Sequence, residues 1–221
     1  MKEKKVFYCE LAYLVGIVVL ALGTAFMEKA DFGMSMIVAP AYIIYLKVSQ
    51  SLTFFTFGMS EYIFQLFLLI ILSVIMRKFK KIYILSFVTT LIYGAVLDAL
   101  MKIIGMFPYE GKMWQMVFYV AGMVICATGV ALLFRAHYPP ESYELVVKEI
   151  TDKYKLSLSK VKTVYDCCSC VLAIVLSLAF FGTFVGVKWG TIFCALVNGW
   201  MIGKIGVRLD KRFEFRKKII L

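Results

Sequence analysis

The sequence predicts an all-α, polytopic membrane protein of six transmembrane helices, organised as two inverted repeats of three. Three observations carry this expectation. Apolar residues (AVILMFWYC) make up 62% of the 221 residues and charged residues only 18%, against about a half and a quarter in soluble domains. Six runs are long and apolar enough to cross about 30 Å of hydrocarbon. The basic residues behind the net charge of +11 collect in every second connection, as they do in loops retained in the cytoplasm. The composition excludes a water-soluble domain, a disordered chain and a nucleic-acid module, and makes the lipid bilayer the first expected partner.

The runs lie near residues 8–28, 55–76, 82–104, 113–135, 160–182 and 187–207. The first follows Lys2, Lys4 and Lys5 and has no small-residue cleavage site, so it is read as a retained span rather than a signal peptide. After it, residues 34–48 (MSMIVAPAYIIYLKV) are too short to cross and too apolar to be solvated. A re-entrant segment and a helix lying in the interface both satisfy that pattern. The second and third runs are joined by Arg77, Lys78, Lys80 and Lys81, and the chain ends in Arg208, Lys211, Arg212, Arg216, Lys217 and Lys218. The alternate connections hold only Lys29 and Lys47, Lys102 and Lys112, and Lys188. Both termini are therefore expected in the cytoplasm. Between the fourth and fifth runs, residues 140–154 place Tyr143, Val146, Val147 and Ile150 at helical spacing with charges opposite. This reads as an amphipathic helix on the cytoplasmic surface, with Glu144 and Lys148 as a solvated i, i+4 pair.

Sliding the chain against itself gives one coherent register. At an offset of 106, Gly16, Ala21, Gly23, Ala25 and Ala30 fall on Gly122, Ala127, Gly129, Ala131 and Ala136. The halves 1–106 and 107–221 then each hold a span, a short helix and two more spans. Three spans per half is odd, so the halves are expected to enter the membrane from opposite sides, a plan that recurs in transporters with the site between the repeats.

Ionisable groups within spans are costly and mark function by default. Asp31, Glu61 and Asp98 fall toward the outer side and are candidates for one acidic vestibule, with an Asp98–Lys102 pair as the plainer alternative. Asp166 lies one turn after Lys162 at the start of the fifth span, and the repeat sets it opposite Ser60, beside Glu61. Pseudo-symmetric acids of this kind suit a proton-coupled cycle, whereas a structural Lys162–Asp166 pair is the competing view. Asn198 is read as making an interhelical bond, and Gly199 with Gly203 as a close-packing stripe toward a neighbouring helix, a second copy or a partner membrane protein. His137, the sole histidine, is read as structural. Of the cluster DCCSC (166–170), Cys167 and Cys170 share a face and Cys168 does not, which favours packing over a metal site. No catalytic, nucleotide or metal motif occurs, so neither enzymatic activity nor a cofactor is expected.

The stretch GMSMIVAPAYIIYLKVSQSLTFFTFGMSEY with IYGAVLD, and YPPESYELVVKEITDKYKLSLSKVKTVYDCC with FFGTFVGVKWGT, resemble the YitT/YczE-type family of bacterial integral membrane proteins. The resemblance covers nearly the whole chain and is most specific at KTVYD (Lys162 to Asp166), Pro139-Pro140 and Gly94 to Asp98. Lys188-Trp189 departs from it, standing where such proteins usually carry a smaller, glycine-containing turn. The resemblance implies a small protein of the bacterial cell membrane, connected with transport or with assistance to export and biosynthesis, and says little about substrate. The expected function is a small-molecule transporter or permease with its site between the repeats. A substrate-binding subunit of a multi-component importer and a non-transporting scaffold are the alternatives.

Overall fold

A computed structural model describes residues 5–108 and 111–217. Among the described residues the chain forms helices α1 (Cys9–Ala30), α2 (Ala39–Val48), α3 (Phe57–Met76), α4 (Lys81–Gly105), α5 (Lys112–Arg135), α6 (Ser142–Tyr154), α7 (Leu158–Phe181) and α8 (Trp189–Arg212). Strands β1 (Lys5–Tyr8) and β2 (Phe213–Arg216) flank them. Helices α1, α3, α4, α5, α7 and α8 are the six long and apolar enough to cross a membrane. The last runs to Arg212, beyond the expected end at 207, because Lys211 and Arg212 sit favourably at a helix C-terminus. Near the chain ends, Lys5–Tyr8 and Phe213–Arg216 pair as two parallel strands, with Phe7 against Phe213 and Phe215 at ring-centroid distances of 5.4 and 5.8 Å.

Cross-helix contacts sort the ends of the bundle. At the end that holds β1 and β2, Cys9 Sγ donates to the Arg135 carbonyl and Arg135 pairs with Asp210. At the far end Lys29 reaches the Gly105 carbonyl, and Lys188 pairs with Asp31. Successive long helices therefore alternate in direction. The two halves also repeat their packing partners: α1 lies on α4 as α5 lies on α8, α3 on α4 as α7 on α8, α2 on α3 and α7 as α6 on α7 and α3. The contact of α6 with α4 has no comparable counterpart between α2 and α8.

The antiparallel pair α1 and α5 forms the axis of this arrangement, and it crosses on the small residues that aligned in the sequence. A Cβ on Gly23 would lie 2.5 Å from Cys126 N and 2.8 Å from Gly122 O, and one on Gly129 would lie 2.6 Å from Leu20 N. Both contacts are with backbone, which cannot move aside without separating the helices. Ala21, Ala25, Ala127 and Ala131 are buried along the same seam, as expected where close approach rather than hydrophobic exclusion drives helix association.

The short helices are buried at their N-terminal ends and reach the surface only at their C-terminal ends. Residues 33–41 are buried throughout, so the first half's short segment is enclosed by protein rather than spread along an interface. The apolar face of α6, expected on the membrane surface, packs instead on Leu69 and Leu72 of α3 and Tyr83 of α4 through Leu145 and Val146.

Replacing Gly23 or Gly129 by Val is expected to lower the thermal unfolding midpoint in detergent markedly, by overpacking worth about 1–3 kcal/mol or more. Gly203, whose Cβ would meet nothing within 4 Å, is the control, and Gly203→Ala is expected to leave the midpoint unchanged or raise it slightly.

Candidate functional site

The path from α5 to α6 determines the site. The chain leaves α5 at Arg135 and turns at His137, which is exposed and has φ 57°. It then runs inward through Tyr138, Pro139 and Pro140. Prolines have no N–H to satisfy, so a Pro-Pro segment that is half-buried at Pro139 and buried at Pro140 needs partners only for its carbonyls. Thr89 Oγ1 donates to Pro139 O at 3.0 Å and Ser86 Oγ to Pro140 O at 2.5 Å. Helix α6 starts where the Ser142 N–H donates to Gln65 Oε1 at 3.0 Å. Gln65 and Thr90, which both touch Ser142, lie about 16 and 14 Å along α3 and α4 from Met76 and Lys81, at 1.5 Å per residue. The start of α6 is therefore near the middle of the bundle, and the helix climbs back to the end that holds the termini, where Glu149 pairs with Lys80.

This geometry brings buried ionisable groups together. Lys162 Nζ, 1% exposed, lies 2.9 Å from Glu144 Oε1 and 3.1 Å from Asp166 Oδ1. Asn198 Nδ2 donates to Asp166 Oδ2 at 3.3 Å. On the other side, Tyr143 OH and Gln65 Nε2 donate to Glu61 Oε2 at 2.8 and 3.0 Å, and Thr90 Oγ1 donates to Gln65 Oε1 at 2.7 Å. Glu141, at the N-cap of α6, is 2% exposed. Burial holds its carboxyl well above the usual carboxylate range, and the neighbouring Glu61 and Glu144 charges act in the same direction. Four buried carboxyl groups thus face one ammonium. Glu61 Oε1, Glu141 Oε1, Glu144 Oε2 and Asp166 Oδ1 accept no hydrogen bond, the last meeting Lys162 only as an ion pair.

Between these groups lies an enclosed cavity lined by Glu141, Glu144, Lys162 and Asn198 from the second half and by Thr24, Ser35 and Val38 from the first. The volume open to the centre of a water molecule is about 20 Å³, room for about one water. Both short helices contribute their N-terminal approaches to it.

Several sequence expectations are corrected. Glu144 does not form a solvated pair with Lys148; it is 2% exposed and bound to Lys162, because α6 points its first turn inward. Asp31, Glu61 and Asp98 do not share a vestibule. Asp31 is an exposed partner of Lys188 at 2.7 Å. Half-buried Asp98 does not pair with Lys102: its Oδ1 accepts from the Gly58 N–H at 3.0 Å, meeting one of the donors left free in the first turn of α3. Gly58 permits this, since a Cβ there would lie 2.6 Å from Asp98 Oδ2. Glu61 turns toward α6. Asp166 does pair with Lys162, and Asn198 makes its interhelical bond to the same carboxylate. Gly199 packs on Thr163 of α7. Cys167, Cys168 and Cys170 are half-buried, exposed and buried respectively. Glu141, Gln65, Tyr143 and Thr90 were not singled out as site residues. The available signal was the pair Pro139-Pro140 leading directly into an acid, a strange entry for a surface helix.

Lys162→Met is expected to cost about 3–5 kcal/mol of stability by leaving Glu144 and Asp166 buried without a cation, measured as thermal unfolding in detergent. Adding Glu144→Gln and Asp166→Asn to the same chain should recover much of the loss.

Neither a curated protein nor a solved structure matches the chain. Residues 7–206 match the family described as "Family of unknown function (DUF6198)". The match takes in all six long helices but for the end of α8, and the chain belongs to that family.

Proposed function

We propose that the protein is a transporter or permease for a small molecule in the bacterial cell membrane, with its site between two inverted halves and its cycle coupled to protons or another ion. The observation that carries this reading is the enclosed cavity at which the approaches to α2 and α6, entering from opposite ends of the bundle, meet the Glu141, Glu144, Lys162 and Asn198 side chains. Irregular backbone at mid-depth is tolerated where it lines a cavity, and short helices that stop there are how many transporters build a binding site. The recurrence of packing partners between the halves supports an inverted repeat. In this reading the basic end faces the cytoplasm with both termini, as the lysine and arginine distribution favours. The relation to YitT/YczE-type proteins is part of the same proposal.

In this reading the cavity, with room for about one water, belongs to a state closed at both ends. Opening in this reading requires one short helix to withdraw from α3 and α7, on which both short helices pack. The ties of the first turn of α6 at the cavity are the buried ion pair at Lys162, the Tyr143–Glu61 bond and the contacts of Ser142 with Gln65 and Thr90. Purified protein in proteoliposomes is expected to accumulate at least one member of a broad metabolite library, with Glu144→Gln reducing the rate tenfold or more. A folded wild-type protein that moves nothing across the library would sink the proposal.

A further inference from the structure

The charge count at the centre is unbalanced. Among the described residues Lys162 is the one buried cation, and it is shared between Glu144 and Asp166. Glu61 carries two donors on Oε2. Glu141 touches no cation and keeps an orphaned oxygen. The titratable groups in electrostatic reach of it are Tyr13 of α1, Glu61 of α3, Tyr93 of α4, Cys126 of α5, Glu144 of α6 and Lys162 of α7. Five of the six are acids and the sixth is already paired. An uncompensated carboxylate in apolar surroundings is so costly that the group takes up a proton instead, so Glu141 is the carboxyl that holds one in the closed state.

We propose that this centre binds a small organic cation bearing an ammonium-type group, in exchange for the proton on Glu141. The unfilled acceptors Glu141 Oε1 and Glu144 Oε2 belong to side chains that line the same cavity, beside Tyr93 and Tyr143. An ammonium supplies up to three N–H donors, and aromatic walls suit a cation. Among the described residues no set of three acidic, histidine or cysteine side chains is arranged for a metal ion, which favours a hydrogen-bonding cation. In the exchange the O–H bond of Glu141 breaks, its proton leaves to solvent, and the incoming ammonium pairs with the carboxylate. Buried charge is unchanged, so no state of the cycle leaves an unmatched ion in the membrane. One carboxylate cannot hold both, which makes proton and cation compete and couples their movements.

This inference rests on the transport reading for its purpose but not for its test. Purified full-length protein in detergent, weakly buffered near neutral pH with an indicator dye, is titrated with methylammonium chloride. Release of about one proton per protein is expected at saturation, with an apparent affinity that strengthens up to about tenfold per pH unit while Glu141 is protonated. Sodium chloride should release none, and Glu141→Gln should abolish the release. Infrared difference spectra of the wild type should lose a protonated-carboxyl band on methylammonium addition, an assay that does not depend on the variant folding. Absence of release from folded wild type, equal release with sodium, undiminished release in Glu141→Gln, or persistence of the infrared band would each overturn the exchange. Exchange in detergent without flux in vesicles would refute transport alone, and flux of neutral or anionic solutes without proton release would refute this inference alone.

Discussion

A charge placed in apolar surroundings has to be matched by groups of the same protein, and Lys162 is where this chain meets that demand. Its ammonium lies between Glu144 on α6 and Asp166 on its own helix. Helix α6 cannot lie on the membrane surface and satisfy Lys162 as well, so the ion pair requires the inward path of residues 136–141. That path in turn requires Ser86 and Thr89 to donate to the Pro140 and Pro139 carbonyls. Breaking the pair would leave two carboxylates and a helix without its anchor, which is why it is the part of the fold with most to lose from a single substitution.

The second constraint is steric. Helices α1 and α5 approach through Gly16, Gly23, Gly122 and Gly129, where side chains would strike backbone or, at Gly16, the Leu133 side chain. Their close approach brings Thr24 and Cys126 to the edge of the polar centre, where Thr24 Oγ1 bonds Tyr93 OH at 3.0 Å. A close-packed apolar seam and a polar centre reached by two short helices divide the molecule into a part that holds and, under the proposed transport, a part that moves. Such a division suits transport, since interfaces of packed helices switch between discrete arrangements rather than deforming smoothly.

The six long helices were legible because bilayer thickness imposes a length and an apolar composition that few other structures share. Their boundaries came within a few residues, save at α8, where the helix continues through charged residues that hydropathy reads as a tail. The alignment of Gly16, Gly23, Gly122 and Gly129 was also legible, but as a repeat; that these same residues touch one another follows only from the antiparallel crossing. For the site, Lys162, Asp166 and Asn198 were legible as buried polar groups within apolar runs. Glu144 was misread, because on an isolated helix its spacing to Lys148 looks like an exposed pair. Glu141 left no periodic signal, since an N-cap residue lies outside the helical repeat.

The sequence alone therefore determined which segments are long and apolar enough to span, which end of the bundle carries the basic residues, and that two short segments interrupt the halves. All of these are local properties: length, composition and charge read along the chain. Which side of α6 faces inward, which acid Lys162 shares, and where Glu61, Asp31 and Asp98 turn were decided by tertiary structure. Those are matters of depth and partner, and a buried charge chooses its partner from whatever the packing of other helices brings within hydrogen-bonding distance.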